Sequence, residues 1–244
     1  MGTGAGPSEG DLMAGLAADA VPGAFDLAAP GYDLLVGANP GYHRELRRAA
    51  TALGIADSGA GRRLLDLGCG TGASTAALLS VAPRAEIIGV DASAGMLLRA
   101  ARKPWPDNVS FVHARAEGLT TLGPFDGIFA AYLIRNLADP DPVLATIHGL
   151  LKPRARFVAH EYSVRDSPVA GAIWTAVCWT VIIPAGVVVT RSPKLYTYLW
   201  RSVVSFDGVR ALRDRLRRNG FTDVRALPAC GWQRGILHTF VGQA

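Results

Sequence analysis

The chain has 244 residues, of which 50% are hydrophobic, and carries a formal net charge of +5 with a pI near 9.4. This length predicts one α/β domain with a sizeable core. The three cysteines are far apart and form no C-x-x-C pair, which disfavours a disulfide framework or a metal site. They therefore predict a reducing, cytoplasmic compartment. The lack of a Lys/Arg-rich run disfavours a nucleic-acid partner, whereas mild basicity is compatible with peripheral contact with an anionic membrane surface.

Residues 1–24 are predicted to form a disordered or helical extension before a single domain over residues 25–244. The start of the chain is rich in glycine and lacks the basic region and apolar core of a signal peptide. Asp11–Ala20 has the composition of a short helix. Two interpretations stay open for Phe25 and Tyr32: they line a ligand pocket, or they pack against the sheet.

Arg62–Gly72, with the sequence RRLLDLGCGTG, predicts a buried strand, a tight turn and the start of a helix. Gly68, Gly70 and Gly72 permit positive φ angles and let a ligand approach the backbone closely, as turns that bind dinucleotides or S-adenosylmethionine (SAM) do. Asp66 favours SAM, because a carboxylate here would repel the pyrophosphate of a dinucleotide but attract the ammonium and sulfonium groups of SAM.

The next segments extend the predicted cofactor site. Ala85–Val90 is predicted as a second strand that leads to Asp91, whose carboxylate would accept hydrogen bonds from ribose hydroxyls or else cap the next helix. Met96 would contact either adenine or the core. After a third strand at Val109–His113, Arg115 stands where SAM enzymes often have an acid; because arginine has no acceptor for the adenine amino group, it would stack on the ring instead. The predicted cofactor-binding residues are Asp66, Gly68, Cys69, Gly70, Gly72, Asp91, Ala92, Met96, Arg115, Ala116 and Ala131.

A fourth strand is predicted at Phe125–Ala130, and Arg135 and Asn136 follow its tip. In a SAM-dependent enzyme this tip faces the transferred methyl group. Enzymes that methylate nucleic-acid bases place an Asn/Asp-Pro-Pro-aromatic string here to hold a flipped base, and this sequence has no such string. Methylation of a nucleic-acid base is therefore disfavoured.

The C-terminal half contains a run of 24 residues without charge, Ser167–Thr190. By length alone this run could cross a membrane, belong to the core, or form a lid over an apolar substrate pocket. Because the elements after it must rejoin the same sheet, a crossing is disfavoured, and we predict a lid over about residues 165–205. The remaining predicted elements are helices at Tyr42–Leu53, Pro142–Leu151 and Asp207–Asn219, and strands at Arg156–Glu161, at Phe221–Leu227 and within Gly231–Val241.

Several strings carry a family resemblance. The generic part is LDLGCGTG together with Asp91, and the more specific part is Gly127–Asp139, GIFAAYLIRNLAD, with its Arg-Asn pair. Further matches are His160–Ser163, Leu195–Leu199 and Gly235–His238. Over most of its length the chain therefore resembles the ubiquinone/menaquinone C-methyltransferase family of class I SAM-dependent methyltransferases. The resemblance implies an α/β, Rossmann-like class I methyltransferase fold, in which a seven-stranded, mostly parallel sheet has helices on both faces and a helical lid.

The same resemblance implies an activity and its residues. The enzyme would transfer a methyl group from SAM, leaving S-adenosylhomocysteine, to a ring carbon of an apolar acceptor such as the polyprenyl quinol demethylmenaquinol, and would be compatible with a homodimer. Arg135 and Asn136 would orient the acceptor, with Arg135 stabilising phenolate charge because a guanidinium is too basic to act as a base. Glu161, Tyr196 and His238 are the other candidate catalytic residues, each a candidate base.

Three departures from the family's pattern keep other functions open. Arg115 replaces the usual acid, Tyr162 replaces a phenylalanine, and Trp232-Gln233-Arg234 stands where small apolar residues normally lie beside the pocket. The bulky segment favours another apolar acceptor, such as a polyketide, a terpenoid or a lipid amine. Arg115 is also compatible with a SAM-binding protein that transfers no methyl group.

Overall fold

The computed structural model describes residues 41–119, 122–190 and 193–244, together with the single positions 23, 37 and 39. The predictions of an N-terminal extension, of a helix at Asp11–Ala20 and of a role for Phe25 and Tyr32 lie outside the described residues.

A seven-stranded sheet forms the centre of the domain. Its strands are β1 (Arg63–Leu67), β2 (Glu86–Asp91), β3 (Val109–His113), β4 (Phe125–Ala131), β5 (Leu151–Tyr162), β6 (Thr222–Pro228) and β7 (Leu237–Gln243). Their spatial order is β3-β2-β1-β4-β5-β7-β6; the first five in this order are parallel, and β7 is antiparallel to both β5 and β6. The central strand β1 is buried on both faces, as parallel strands between helical layers are, and the buried Asp66 is the one acid among its leucines.

Helices cover both faces of this sheet. They are α1 (Tyr42–Thr51), α2 (Ala73–Val81), α3 (Ala94–Ala101), α4 (Pro140–Leu150), α5 (Pro168–Val177), α6 (Ile183–Thr190), α7 (Lys194–Ser205) and α8 (Val209–Arg218), with a π-helical turn at Cys178–Ile182 between α5 and α6. On one face Leu144 of α4 and Leu212 of α8 pack with Phe157 of β5. On the other face Leu46 of α1 and Leu78 of α2 belong to a second apolar core. The predicted fold class is confirmed.

Local sequence explains where two of these helices begin. The Asp139 carboxylate accepts a hydrogen bond from the backbone N–H of Asp141 at 3.2 Å, and Pro140 occupies the first turn of α4. The Ser167 hydroxyl likewise accepts from the N–H of Ala170, and α5 starts at Pro168. A capping oxygen followed by proline is a strong start signal, because proline lacks only an N–H that would be unpaired there anyway.

Helices α5, α6 and α7 form a helical hairpin (residues 168–205) that shares a core with the carboxyl end of β5. The two arms are antiparallel, and the Trp200 indole N–H donates to the Thr175 hydroxyl at 3.1 Å. Trp174 is fully buried between them. Gly186 of α6 lies so close to the Tyr196 ring that a Cβ at this position would collide with it. The glycine therefore sets the spacing of α6 and α7.

The uncharged run is neither a core helix nor a simple membrane span. Pro168–Val188 is long and apolar enough to cross a membrane, but only 22% of its most apolar window is buried inside the protein. Strands β6 and β7 follow it in sequence and pair with β5, which precedes it. A single crossing would therefore place neighbouring strands of one sheet on opposite sides of a bilayer.

Predicted and observed boundaries differ most around β5. The sequence predicts this strand only from Arg156, whereas it begins at Leu151, which pairs with Phe125 across an irregular step in register. Helix α4 begins at Pro140 rather than Pro142 because Asp139 provides the cap. The last predicted segment contains a short 3-10 turn before β7.

Candidate active site

The turn between β1 and α2 has the backbone geometry that its glycines predict. Gly68, Gly70 and Gly72 have φ angles of 74°, 55° and 90°. The N–H of Gly68 donates to the Val90 carbonyl at 2.7 Å, and the N–H of Gly70 donates to the Asp91 carboxylate at 2.8 Å. The end of β2 thus holds the turn in shape, and the bare backbone at Gly68 and Gly70 faces a cavity.

Asp91 joins two elements of the site. One carboxylate oxygen accepts from Gly70, and the other accepts from the N–H of Ser93 at 2.8 Å. The N-cap of α3 is Ser93, whose hydroxyl accepts from the N–H of Met96 at 3.1 Å, so the alternative that Asp91 caps this helix is wrong. Asp91 thus ties the glycine turn to the segment that starts α3.

Asp66 lies beneath the turn and is fully buried. One carboxylate oxygen accepts hydrogen bonds from the hydroxyls of Ser74 at 2.8 Å and Thr75 at 2.6 Å, both in the first turn of α2. The other oxygen has no hydrogen-bond partner among the described residues. Burial raises the pKa of Asp66 to about 7, although the two hydrogen bonds lower it. The negative charge of Asp91 raises it further. A cation in the neighbouring cavity would favour the ionised carboxylate.

A cavity of about 200 Å³ opens at the carboxyl ends of β1, β2 and β4. Of the residues predicted from sequence, those that line it are Gly68, Gly70, Asp91, Ala92, Met96, Arg115, Ala116, Ala131, Arg135 and Asn136. Asp66, Cys69 and Gly72, which were also predicted to bind the cofactor, belong to the same strand and turn but do not line this cavity. At Gly72 a Cβ would meet the Trp105 ring, and Cys69 is a buried thiol whose pKa burial raises well above its usual value.

The loop after β3 supplies an acid that the sequence analysis missed. Glu117 lines the cavity beside Arg115 and Ala116, and its carboxylate lies 3.6 Å from the Arg115 guanidinium. Arg115 has no acceptor atom, but Glu117 has two oxygens. The sequence Arg115-Ala116-Glu117 contains this acid, two positions after the arginine that stands at the usual place of the acid.

Arg135 and Glu161 form a buried ion pair at the tip of β4. Their side chains are 4% and 0% exposed, and Arg135 Nη1 lies 2.8 Å from Glu161 Oε2. The second Glu161 oxygen accepts from the backbone N–H of Ile134 at 2.6 Å. Burial raises the pKa of Glu161, while the charge and hydrogen bonds of Arg135 oppose that rise. Both Glu161 oxygens are therefore engaged in holding Arg135 and its turn.

A row of aromatic rings leads from this pair into the hairpin, and the sequence analysis did not predict it. Tyr132 stacks on Tyr42 and on Tyr162, with ring centroids 5.6 Å and 5.1 Å apart, and Tyr162 contacts Trp174 at 4.6 Å. The guanidinium of Arg135 lies over the Tyr132 and Tyr162 rings. Tyr132 has a φ of 59°, a left-handed conformation that few tyrosines adopt and that turns its ring into this row.

Asn136 connects the strand tip to the hairpin. Its amide donates to the Tyr132 carbonyl at 2.8 Å and accepts from the Tyr198 hydroxyl at 3.1 Å. Tyr198 belongs to α7, and burial raises the pKa of its hydroxyl, so it stays a donor at neutral pH. This bond joins the helical hairpin to a residue that lines the cavity.

The sequence profile of the ubiE/COQ5 methyltransferase family matches residues 14–239 of this chain. The chain belongs to this family. A demethylmenaquinone methyltransferase of Deinococcus radiodurans is 35% identical over 213 residues, which cover 85% of this chain and 88% of the relative. A ubiquinone/menaquinone biosynthesis C-methyltransferase UbiE of Syntrophotalea carbinolica is 31% identical over 222 residues, 89% of this chain and 91% of the relative. The family predicted from the glycine turn and the Arg-Asn pair is confirmed.

Solved structures agree with the fold of this ubiE/COQ5 family member. The phosphoethanolamine N-methyltransferase 2 of Haemonchus contortus, in complex with SAM, has a TM-score of 0.63 at 16% identity and covers 89% of this chain and 57% of its own. At this identity the likeness shows the fold alone. Family and fold together make this chain a SAM-dependent methyltransferase, with SAM as the methyl donor.

The remaining predicted catalytic residues of this ubiE/COQ5 family member lie outside the cavity lining. His238 faces Glu161 across the β5–β7 pair, and burial lowers its pKa. Tyr196 packs against Gly186 inside the helical hairpin. His160, which was not predicted to be catalytic, occupies the other face of β5, where its ring contacts the Thr239 hydroxyl at 2.9 Å and burial lowers its pKa to about 3.

The segment that departs most from the family's pattern also lies away from the cavity lining. Trp232 is largely exposed, Gln233 is buried in the 3-10 turn before β7, and Arg234 follows that turn. The sequence argument that these bulky residues reshape the pocket, and so favour another acceptor, has no support in their position.

Proposed function

We propose that this chain transfers the methyl group of SAM to a ring carbon of a polyprenyl quinol such as demethylmenaquinol. The observation that carries the acceptor assignment is the similarity to the Deinococcus radiodurans demethylmenaquinone methyltransferase over 85% of this chain. The row of tyrosines beside Arg135 supports it, because an aromatic acceptor ring stacks favourably on such side chains.

The residues around the cavity fit SAM. Asp91 would accept hydrogen bonds from the ribose hydroxyls, and Met96 and Ala116 would contact the adenine ring. The Glu117 carboxylate would accept a hydrogen bond from the adenine amino group. The unpaired, buried oxygen of Asp66 supplies negative charge beneath the turn, which suits a ligand with an ammonium and a sulfonium group. When bound, SAM supplies an electrophilic methyl group.

Arg135 is proposed to stabilise the acceptor as its phenolate. Removing the hydroxyl proton of a hydroquinone sends negative charge to the ring carbon that accepts the methyl group. A guanidinium remains charged at every physiological pH, and in a largely buried position its effect on such an anion is strong. Glu161 is then a positioning residue, since its two oxygens fix Arg135 and the backbone of Ile134.

His238 is the proposed proton acceptor. Directly opposed residues of antiparallel strands point to the same face with Cβ atoms about 5 Å apart, so His238 lies next to Glu161 and its Arg135 partner. Its Nδ1 has no hydrogen-bond partner among the described residues. Burial lowers the pKa of His238, which keeps the imidazole neutral and able to take a proton at neutral pH; because His238 does not line the cavity, the proton would reach it through water.

The helical hairpin is proposed as the lid, within a methyltransferase domain over residues 25–244. It lies against the carboxyl end of β5 and reaches the cavity lining through the bond from Tyr198 to Asn136. Its apolar inner residues continue the aromatic row of Tyr132 and Tyr162 through Trp174. Such a surface would accept the polyprenyl tail while the quinol ring remains near Arg135.

Turnover with methyl-labelled SAM and a short-chain demethylmenaquinol tests this function. We expect a product with the label on a ring carbon, located by mass spectrometry. Arg135→Ala should lower kcat by about a hundredfold while SAM affinity, measured by calorimetry, changes less than about threefold. Arg102→Ala, which removes an exposed arginine at the end of α3, is the matched control and should leave both values unchanged.

Two outcomes would contradict the proposal. Full turnover in Arg135→Ala would show that this guanidinium does not stabilise the acceptor. Absence of a quinol product, with label entering another compound from an extract of the host's lipids, would make that compound the acceptor and identify it by mass.

A further inference from the structure

The helical hairpin exposes apolar side chains along its entire long arm. Val188 is 82% exposed, Val181 59% and Trp179 52%. We call the exposed side of this arm the apolar face; its large members are Val169, Ile173, Trp179, Val181, Val187 and Val188. Exposed apolar side chains gathered on one helical arm are typical of a surface that contacts a partner or a membrane, so we ask what would cover this face.

Charge identifies the chemistry of that partner. Between Asp166 and Asp207 the sequence contains no acidic residue, whereas it contains the basic residues Arg191, Lys194 and Arg201. Lys194 and Arg201 lie about two turns apart on α7, the helix that packs alongside the long arm, and both are exposed. An apolar helix face bordered by cations is the pattern of a helix that lies in the headgroup region of an anionic membrane.

The length and connections of the hairpin determine how it could meet a membrane. Its long arm of 21 residues extends about 31 Å at the α-helical rise, but its two ends lead to paired strands of one sheet. The arm therefore lies along a surface rather than across it. On its inner side the same hairpin contacts Asn136 through Tyr198, so a surface against the hairpin is also near the candidate active site.

We propose that the apolar face, with Lys194 and Arg201 beside it, docks this protein on the surface of an anionic lipid bilayer. This proposal rests on the proposed function, because the polyprenyl quinol that would be the acceptor resides in such a bilayer. A second copy of the chain fits this surface less well. In a twofold dimer the basic residues of both hairpins would approach one another, and the hairpin has no acidic residue to pair with them.

Sedimentation with lipid vesicles tests the docking. The wild type should bind vesicles of phosphatidylcholine mixed with phosphatidylglycerol and bind vesicles of phosphatidylcholine alone much more weakly. Val188→Glu should weaken binding by about tenfold, whereas Leu98→Glu, at a 56% exposed leucine on α3, should not. Lys194→Glu should weaken binding to the anionic vesicles by at least about fivefold, and Arg102→Glu is its charge-matched control.

Three results would overturn the docking proposal. The wild type could fail to bind anionic vesicles, or Val188→Glu and Leu98→Glu could weaken binding equally. Light scattering without lipid could also show a wild-type dimer that Val188→Glu converts to a monomer, which would make a second copy the occupant of the apolar face.

The docking proposal and the proposed function can be refuted independently of each other. Turnover of a water-soluble short-chain quinol in vesicle-free buffer reports on the acceptor alone, and vesicle binding without substrate reports on docking alone. Turnover without vesicle binding would refute the docking, whereas vesicle binding without quinol turnover would leave the docking supported and refute the acceptor.

Discussion

Replacing Asp66 by asparagine should stabilise the SAM-free protein at neutral pH and weaken its affinity for SAM. The carboxyl is fully buried, and one of its oxygens has no partner among the described residues. Asparagine keeps an oxygen that can accept from Ser74 and Thr75 and cannot ionise. The variant therefore removes the cost of burying a charge while it retains the two hydrogen bonds.

The magnitude follows from the pKa of Asp66. Its pKa rises from 3.8 to about 7 on burial, and each pKa unit corresponds to about 1.4 kcal/mol, so the ionised carboxylate costs about 4 kcal/mol of folding free energy. Between these two pKa values the folded state binds a proton that the unfolded state has lost. The free energy of unfolding of the wild type therefore falls as the pH rises from about 4 to about 7, and then levels off.

Urea unfolding of the SAM-free protein at about pH 4, pH 6 and pH 8 measures this effect. The stability of Asp66→Asn relative to wild type should increase across the series. Asp126→Asn is the control with the opposite sign: burial alone would raise the pKa of Asp126, but hydrogen bonds from Lys152 and from the Arg63 N–H lower it. That carboxylate contributes stability that is already present at about pH 4 and is lost only at lower pH, so Asp126→Asn should be less stable than wild type by a nearly constant amount across the series. A stability difference between Asp66→Asn and wild type that stays constant with pH would refute the reasoning.

Calorimetry with SAM separates the ligand-binding role of Asp66 from its effect on stability. We expect affinity for SAM to fall by about tenfold in Asp66→Asn, because one favourable charge interaction with the ligand is lost. SAM binding to the wild type below about pH 7 should also release protons, and the variant should release fewer. Unchanged affinity and unchanged proton release would show that Asp66 serves only the local structure of the turn.

Three further substitutions have defined outcomes. Glu161→Gln leaves the buried Arg135 without its counter-ion, so urea unfolding should show a loss of about 3 kcal/mol and kcat should fall while SAM affinity holds; unchanged kcat would contradict the positioning role. Gly72→Ala adds a Cβ at a φ of 90° against Trp105 and should lower both the melting temperature and SAM affinity, unlike Gly149→Ala, which meets open space within α4 and should be neutral or stabilising. Trp174→Ala should cost about 3–5 kcal/mol of unfolding free energy, and a loss below about 1 kcal/mol would show that the hairpin core is dispensable.

The parallel half of the fold and the cavity lined by the glycine turn and Asp91 were predictable because short-range patterns specify them. An apolar run and alternate glycines identify β1 and its turn within eleven positions, Arg62–Gly72, and the helix-compatible run that follows identifies α2. Asp91 was predictable because it comes directly after the second apolar run, and parallel strands bring their carboxyl ends to one edge of the sheet. These features can be predicted without knowing which residues distant in sequence are in contact in the fold.

The acceptor side could not be predicted because long-range packing creates it. Glu161 was predicted as a candidate base, but it pairs with Arg135, and that contact joins positions 26 apart in sequence. Tyr198 reaches Asn136 from 62 positions away. The left-handed backbone of Tyr132 has no sequence signal such as glycine or asparagine, so its ring could not be placed in the aromatic row.

The π-helical turn at Cys178–Ile182 makes the hairpin tolerant of a change in length. A π turn holds one more residue than an α turn and so absorbs an insertion without rotating the helix beyond it. Trp174 and Gly186 both face α7, although in a regular α-helix their separation in sequence would place them about 120° apart. A relative one residue shorter at this turn can therefore keep the same inner face with an ordinary α-helix, and an insertion or deletion elsewhere in the arm cannot.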